Sequence, residues 1–397
     1  MKNQKNLISG AGLAGPTLAY WLLRWGFTPT IVERAPSLRT GGYMIDFWGL
    51  GWDVCERMGL VPYLLRDGYK FDEVRLVNSA GRRVAKLDAS VYRKVARERF
   101  TSILRGDLAR AIYSRIDGQV ETIFGDGVKS THQSDDGVEA TFEHSSPRTF
   151  DLAIGADGLH SAVRAAAFGK ESRFEHYLGY RTGSFTVAGY PHREEDYVYV
   201  SYCAPRRSVA RYSLRDGRTA FLFVYIDPDR GGIPHNVVQQ KEILRHIYRG
   251  AGWESGAILD AMDSSDDLYL DAVSQIRMEH WSNRRVALIG DAGYCPSLLA
   301  GQGSAFAMAG AYLLAHELRA ADGDHVRAFA RYEAQFKPFV DEKQKGVVWF
   351  GGWFAPKTRF GIHARNLATN LMNAPILSTW MAKGFFSDKF HLPPNAA

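Results

Sequence analysis

The stretch NLISGAGLAGPTLAYWLLRWGFTPTIVER, residues 6–34, decides the fold of this chain. A short apolar segment leads into Gly10-x-Gly12-x-x-Gly15, a helical run follows, and a β-branched strand closes at Glu33. In such a unit the first glycine permits a tight turn, the second lets the backbone approach a pyrophosphate, and the third lets helix and strand pack closely. The stretch therefore predicts a dinucleotide-binding βαβ unit.

The same stretch carries the groups that a dinucleotide needs. The helix begins near Leu13 and Ala14 and directs its amino end, with unpaired N–H groups, toward the predicted phosphates. Glu33, followed by Arg34, ends the second strand, where a carboxylate can accept hydrogen bonds from ribose hydroxyls. Because this carboxylate would repel a 2′-phosphate, the stretch suits NAD or FAD and does not distinguish between them.

The composition is that of an ordinary globular protein, with 46% hydrophobic and 23% charged residues among 397. The basic residues behind the net charge of +6 are spread along the chain, so no nucleic-acid partner is expected. Cys55, Cys203 and Cys295 stand far apart, which indicates a reduced compartment and no metal site. We find no secretory leader and no apolar run of roughly 18 residues. A cytoplasmic protein without a transmembrane segment, monomeric or homodimeric, is expected.

Two later apolar runs also end at glycine-containing segments. Residues 150–154 precede GADGLHSAVR, and residues 286–289 precede GDAGYCP. Ligand loops take this position, at the carboxyl ends of strands, in an open α/β sheet. Between the two segments, YVYVSYCA and TAFLFVYIDP with the turn signal RDG indicate an inserted antiparallel sheet.

The three glycine segments, in this order and at this spacing, resemble the FAD-dependent aromatic hydroxylases of the para-hydroxybenzoate hydroxylase type, the group A flavoprotein monooxygenases. The resemblance covers most of the chain and implies an α/β fold with a Rossmann-like FAD-binding domain of the GR2 type. That domain is expected in three pieces, residues 1–69, 100–174 and 272–340. A substrate-binding β-sheet domain is expected over residues 70–99 and 175–271, and a C-terminal helical segment over residues 341–397.

The resemblance also implies roles for single residues. Asp291 would bind the ribityl hydroxyls, and Arg105 would lie beside the pyrophosphate, where a permanent cation suits a dianion. Asp157 and Arg164 would support FAD and the approach of NAD(P)H. Ala305 departs from the family, which often has an asparagine there that contacts the flavin. The cofactor site expected in full is Gly10, Gly12, Leu13, Ala14, Gly15, Glu33, Arg34, Arg105, Asp157, Gly158, Arg164, Gly290, Asp291, Pro296, Gly301, Gln302 and Gly303.

The reaction that the resemblance implies uses no catalytic side chain. NAD(P)H reduces the flavin transiently, O₂ is captured as a C4a-hydroperoxyflavin, and one oxygen atom passes to a phenolic or polycyclic aromatic substrate. The chain has no second GxGxxG, no CxxxxC pair, and no GxSxG, HExxH or P-loop motif, which argues against disulfide reductases, hydrolases and phosphoryl transferases. An FAD-dependent reductase or dehydrogenase without oxygen insertion, and a non-catalytic FAD-binding protein, remain as alternatives.

Within the family, several runs are similar to the tetracycline-inactivating branch, among them AGPTLAYWLLRWGF and RVALIGDAGYCPSLLAGQG. A tetracycline, and with it antibiotic resistance, is therefore the specific case of a polyketide substrate. The aromatic residues of the inserted sheet suit a flat ligand, although about half of them are expected to form core. The substrate residues expected are Tyr43, Met44, Tyr199, Phe223 and Pro296.

Two further segments leave alternatives open. Gly41-Gly42 is either a plain turn or a mobile segment near the flavin. The aromatic tail, with Trp349, Phe350, Trp353 and Phe354, is expected to pack over the substrate opening or onto the FAD domain, with a dimer contact or a membrane-surface helix as alternatives.

Overall fold

The computed structural model describes residues 2–39, 43–89, 93, 95–96, 98–191, 198–229, 231–234, 236–347, 351–374 and 390–394. The strands of the described chain are β1 (Lys5–Ser9), β2 (Thr28–Glu33), β3 (Met44–Trp48), β4 (Glu73–Val77), β5 (Arg83–Asp88), β6 (Phe100–Leu104), β7 (Glu121–Phe124), β8 (Val128–Gln133), β9 (Val138–Phe142), β10 (Arg148–Phe150), β11 (Leu152–Gly155), β12 (Glu175–Ala188), β13 (Val198–Ala204), β14 (Arg207–Ser213), β15 (Arg218–Ile226), β16 (Tyr269–Ile276), β17 (Ser282–Asn283) and β18 (Val286–Leu288).

The helices lie between and after these strands. Short 3₁₀ turns occur at Glu171–Arg173, Met262–Ser264 and Leu298–Ala300. The α-helices of the described chain are α1 (Ala14–Arg24), α2 (Leu50–Arg57), α3 (Val61–Asp67), α4 (Arg105–Tyr113), α5 (Ala162–Phe168), α6 (Val237–Tyr248), α7 (Ser255–Ala261), α8 (Asp291–Tyr294), α9 (Gly303–Ala320), α10 (His325–Val347), α11 (Gly351–Phe354) and α12 (Arg359–Leu371).

One of the two larger sheets has six strands, in the order β17-β18-β11-β1-β2-β7. All neighbours are parallel except the edge pair of β17 and β18. The central strands are buried on both faces, which explains their continuous apolar runs. The strand order reverses between β1 and β11, and the crevice at such a switch point is where doubly wound sheets bind ligands.

The other larger sheet has seven strands, in the order β16-β12-β15-β14-β13-β4-β5. The predicted α/β class with an inserted sheet is confirmed. The sheet is antiparallel except between β13 and β4, which run parallel. This pair departs from the predicted antiparallel sheet because β4 comes from a distant earlier segment of the chain. On one face of the sheet, Phe221 and Phe223 pack with Leu244 and Tyr248 of α6.

The C-terminal segment departs from its expected boundary. Because α10 runs unbroken from His325 to Val347, residue 341 lies inside a helix and does not begin a new segment. Farther along, α12 packs against the edge strand β5. The side-chain amides of Asn370 and Asn373 bond to backbone N–H and C=O groups of β5, where a further strand would otherwise pair.

Some expected features fall outside the described residues. These are Gly41-Gly42, the tail residues Trp349 and Phe350, and Tyr197, the first residue of the run YVYVSYCA. In the part of the chain that the structure does describe, no helix has the length and apolar character required to cross a membrane.

Candidate cofactor and substrate site

A cavity of about 1680 Å³ lies between the two sheets, and residues of all three glycine segments line it. Its glycine side is lined by the loops that follow β1, β2 and β11, with Gly10, Gly12, Glu33 and Asp157. Its tyrosine side is lined by the inserted sheet and the C-terminal helices, with Tyr199, Tyr212, Leu222 and Arg365. A ligand pocket for one drug-sized molecule spans about 300–1,000 Å³, so this cavity has room for a dinucleotide and a second molecule.

Two glycines of the first segment stand where no side chain fits. Gly10 has φ +107°, and a Cβ there would lie 2.5 Å from the Ala156 carbonyl oxygen. A Cβ on Gly15 would lie 1.9 Å from the carbonyl oxygen of Gly10. Gly12 is different, because its Cβ would meet the Arg105 guanidinium at 3.4 Å, an ordinary contact. Gly10 and Gly15 therefore shape the turn, while Gly12 leaves space beside Arg105.

Glu33 is fixed at the end of β2 by backbone donors. Its carboxylate accepts hydrogen bonds from the N–H groups of Ala11 at 2.7 Å and Ala35 at 2.9 Å. A carboxylate has about four lone-pair positions, so acceptor capacity remains for ligand hydroxyls. Arg34 also lines the cavity and pairs with Glu143 at 3.2 Å on an exposed surface.

Three sources of positive potential face this cavity. Helix α1 begins at Ala14 and helix α9 at Gly303, and neither has a side-chain cap or an acidic residue in its first turn. Among the described residues, no carboxylate forms an ion pair with the half-buried Arg105. Unpaired helix N–H groups and a free guanidinium attract anions. The residues present therefore fit a dinucleotide with a charged pyrophosphate and an electron-accepting ring.

Asp157 and Arg164 stabilise the second glycine segment itself. Asp157 lines the cavity and accepts hydrogen bonds from the Ser9 hydroxyl at 3.3 Å and the Ala162 N–H at 2.9 Å, and burial raises its pKa. Arg164 does not line the cavity, and its expected support of the cofactors stays a prediction. Its fully buried guanidinium donates to the carbonyl of Ala292 at 2.9 Å and to Glu171 at 2.6 Å, which joins the second segment to the third.

The third glycine segment divides between cavity wall and support. Asp291 lines the cavity; burial raises its pKa, and the positive charge of Arg105 opposes that rise. Gly301, at φ +66°, and Gly303 line the cavity beside it. Gly290, Pro296 and Gln302, together with Gly15, are not among the residues that line the cavity, and their cofactor contacts stay predictions. A Cβ on Gly290 would lie 3.2 Å from Ala307 and 3.3 Å from Ala14, so this glycine serves close helix packing.

Of the predicted substrate residues, Tyr43, Met44 and Tyr199 line the tyrosine side of the cavity, and Phe223 does not. Successive residues of a strand face opposite sides of a sheet. Leu222 of β15 faces the cavity, so Phe223 faces α6 and is fully buried. The aromatic run on β15 could not show which alternate residues face the ligand, because both sets are apolar.

Several wall residues carried no recognisable motif in the sequence. The Tyr212 hydroxyl accepts a hydrogen bond from the Met44 N–H at 2.9 Å. The Tyr212 ring stacks on the Tyr199 ring, with 5.8 Å between the ring centroids. Asp46 on β3 accepts a hydrogen bond from Ser102, and burial raises its pKa. Arg365, Thr369 and Met372, on α12 and at its end, also belong to this group. Trp353 and Phe354 line the cavity too, but they lie in the aromatic tail that was expected to pack over the substrate opening or onto the FAD domain.

His160, in the second glycine segment, also lines the cavity and was not among the predicted site residues. Its imidazole lies between Glu171 at 2.9 Å and Asp271 of β16 at 3.3 Å. These hydrogen bonds to two carboxylates raise the His160 pKa to about 10, so the ring stays a cation at neutral pH. A histidine between two sheets gives no local signal, because its partners lie far apart in sequence.

Comparisons with known proteins agree with this geometry. A family model described as an FAD binding domain matches residues 4–342. The chain is 35% identical over 357 residues to a flavin-dependent monooxygenase of Legionella longbeachae, covering 90% of this chain and 91% of that protein. The crystal structure of tetracycline destructase Tet(51) superposes with a TM-score of 0.84 at 31% identity, covering 99% of this chain and 100% of that one.

A more distant structure shows how far the fold extends. Klebsiella pneumoniae HpxO, solved with FAD and uric acid, superposes with a TM-score of 0.78 at 21% identity and covers 96% of each chain. At that identity the likeness concerns the fold alone. The family model and the relatives above 30% identity also indicate the family and its type of reaction. Together with the three glycine segments around one cavity, they show that this chain belongs to the FAD-dependent aromatic hydroxylase family and is an FAD-dependent monooxygenase.

Proposed function

We propose that this monooxygenase consumes NAD(P)H and inserts one oxygen atom into a phenolic or polycyclic aromatic polyketide, with a tetracycline as the specific case. The observation that supports this most is the continuity of the cavity from the glycine side to the tyrosine side. One space then accommodates both the cofactor and a flat aromatic acceptor. The 31% identity to a tetracycline destructase over nearly the whole chain supports the specific case.

The residues around the glycine side would hold FAD. The backbone at Gly10 and Gly12 and the amino end of α1 would bind the pyrophosphate with Arg105, and Glu33 would bind the adenosine ribose. Asp291 would accept hydrogen bonds from the ribityl chain. When bound, FAD supplies the redox chemistry that activates O₂. The chain's own contribution is to orient the acceptor carbon and to exclude water from it.

The tyrosine side would bind and orient the substrate. Burial raises the pKa of Tyr43 to about 12 and that of Tyr199 and Tyr212 still higher, so these phenols remain protonated donors at neutral pH. Because the Tyr212 oxygen already accepts from the Met44 N–H, its own proton is available to a substrate oxygen. Asp46 would accept a hydrogen bond from a substrate phenol through Oδ2, since Ser102 bonds to Oδ1.

The test is a screen of phenols and aromatic polyketides, including tetracyclines, with the FAD-loaded protein. We expect one class to accelerate NADH or NADPH oxidation and to give a product one oxygen atom heavier by mass spectrometry. Oxidation that proceeds equally well without O₂, with no oxygenated product, would favour a reductase or dehydrogenase over the proposed reaction. NADH and NADPH are assayed in parallel, because the wall residues do not distinguish between them.

A further inference from the structure

Arg365 lies on α12, and its side chain faces the tyrosine side of the cavity. Asn370 and Asn373 hold this helix against the edge strand β5. Thr369, which donates to the Arg365 carbonyl at 2.9 Å, lines the same wall. The position of Arg365 is therefore set by a helix that packs on the sheet, and not by a free surface loop.

The Arg365 side chain is buried, but its charge is not neutralised. The residue is only 8% exposed. Its guanidinium donates to the side-chain oxygen of Asn366 at 2.9 Å and to the carbonyl of Trp353 at 3.3 Å, which are both uncharged acceptors. Within the described ranges, no carboxylate forms an ion pair with Arg365. Buried charges are costly when unpaired, so proteins usually keep them paired or near a charged ligand.

The groups around this guanidinium stay neutral. Cys203 and Tyr199 are titratable groups that interact with it, and burial raises the pKa of both. Burial lowers the pKa of Arg365, yet an arginine keeps its proton at any physiological pH. Asp46 also lines the cavity, but its carboxylate accepts a hydrogen bond from Ser102 and forms no ion pair with Arg365. A permanent positive charge therefore faces the cavity, and no carboxylate of the described wall forms an ion pair with it.

We propose that Arg365 is a specificity-determining residue that binds a delocalised oxyanion of the aromatic substrate, such as a carboxylate or an enolate. This rests on the proposed function, because it assigns the substrate to the tyrosine side of the cavity. A planar guanidinium matches two oxygens that share one negative charge, and such charge-assisted pairs are strong in a desolvated site. A neutral aromatic of the same shape would leave the cation unpaired and would bind more weakly.

The test is equilibrium binding of two matched probes to the FAD-loaded protein at neutral pH. The probes are 1-hydroxy-2-naphthoic acid and its uncharged amide, and binding is followed by the change in flavin absorbance, with equilibrium dialysis as a second readout. We expect the wild type to bind the acid at least about tenfold more tightly than the amide, the scale of one charge-assisted hydrogen bond.

Variants locate the preference at one side chain. Arg365→Gln is expected to bind both probes with similar affinity, and Arg365→Lys to keep part of the preference because the charge remains. The matched control is Arg359→Gln, which removes an exposed cation from the same helix outside the cavity and should keep the full preference. FAD content and melting temperature report whether each variant is folded.

Equal binding of the two probes by the wild type, no binding of either, or an unchanged preference in both Arg365 variants would overturn the proposal. None of these outcomes involves turnover. The monooxygenase reaction proposed above fails on a different result, the absence of any compound that stimulates NAD(P)H oxidation and gains oxygen. The two failures are therefore distinguishable.

Discussion

The glycine side and the tyrosine side of the cavity are built in opposite ways. On the glycine side, much of the wall is backbone, and contacts of 2.5 Å and 1.9 Å to carbonyl oxygens exclude side chains at Gly10 in the wall and at Gly15 behind it. On the tyrosine side, the wall consists of side chains such as Tyr199 and Arg365, delivered by a sheet and a helix far apart in sequence. A backbone wall suits a cofactor that never changes, whereas a side-chain wall can be altered for new substrates without loss of the fold.

The largest expected effect comes from Gly15→Ala, which disturbs the turn and the helix behind the backbone wall. Its Cβ would lie 1.9 Å from the Gly10 carbonyl oxygen, so the turn and α1 must separate. We expect a loss of at least about 3 kcal/mol in the free energy of unfolding, with loss of bound FAD. Gly12→Ala is the control, because its Cβ would meet the mobile end of Arg105 at 3.4 Å. Urea unfolding should place Gly12→Ala within about 1 kcal/mol of the wild type, with weakened FAD binding.

Asp291→Ala tests a cofactor contact made by a side chain. We expect FAD affinity to fall by about tenfold to a hundredfold, the scale of hydrogen bonds to a charged acceptor, while the fold stays intact. Fluorescence titration of the apoprotein with FAD measures the affinity, and circular dichroism reports the fold. Asp291→Asn keeps one acceptor oxygen, so its FAD affinity should lie between that of the wild type and that of Asp291→Ala. An unchanged affinity in Asp291→Ala would show that the ribityl chain lies elsewhere.

Asp126→Asn probes the loop that supports the glycine side between β7 and β8. Burial alone would raise the Asp126 pKa, but hydrogen bonds from Ser145, His144 and Gly127 lower it to about 2. The lowered pKa stabilises the fold above the unfolded pKa of about 3.8, and this contribution disappears as the pH falls toward 2. We expect Asp126→Asn to cost about 1–2 kcal/mol at pH 7 and less at pH 3, by urea unfolding. A difference that stays constant between these pH values would contradict this account.

The smallest expected effect concerns the helix that carries Arg365. Asn370→Ala and Asn373→Ala each remove side-chain hydrogen bonds to β5, which should cost about 0.5–1 kcal/mol. We expect faster hydrogen exchange confined to α12 and weaker binding of an anionic aromatic ligand, with FAD affinity unchanged. Leu371→Ala is the control, since Leu371 is 56% exposed and packs little. A change in FAD affinity would mean that the two sides of the cavity are not separable.

Much of the glycine side could be predicted from sequence because its residues act locally. A strand, three glycines at fixed spacing, a helix and an acid describe one continuous backbone path, and the structure brings that path to the cavity with Glu33 and Asp157. The motifs do not show which of their residues serve packing between elements. Arg164 and Gly290 belong to glycine segments, yet one joins two loops and the other lets α1 and α9 approach.

The sequence by itself determined the α/β class, the order of the glycine segments and the family, because each depends on spacing along one stretch of chain. Only the tertiary structure decided which aromatics face the ligand. The side-chain direction on β15 follows strand register, and Phe223 and Leu222 look alike as apolar residues. The tertiary structure also decided the place of Arg365, because a charged residue in a sequence is normally expected on the surface. Its burial beside Tyr199 depends on a helix docked to a strand from residues 83–88, nearly 300 positions away.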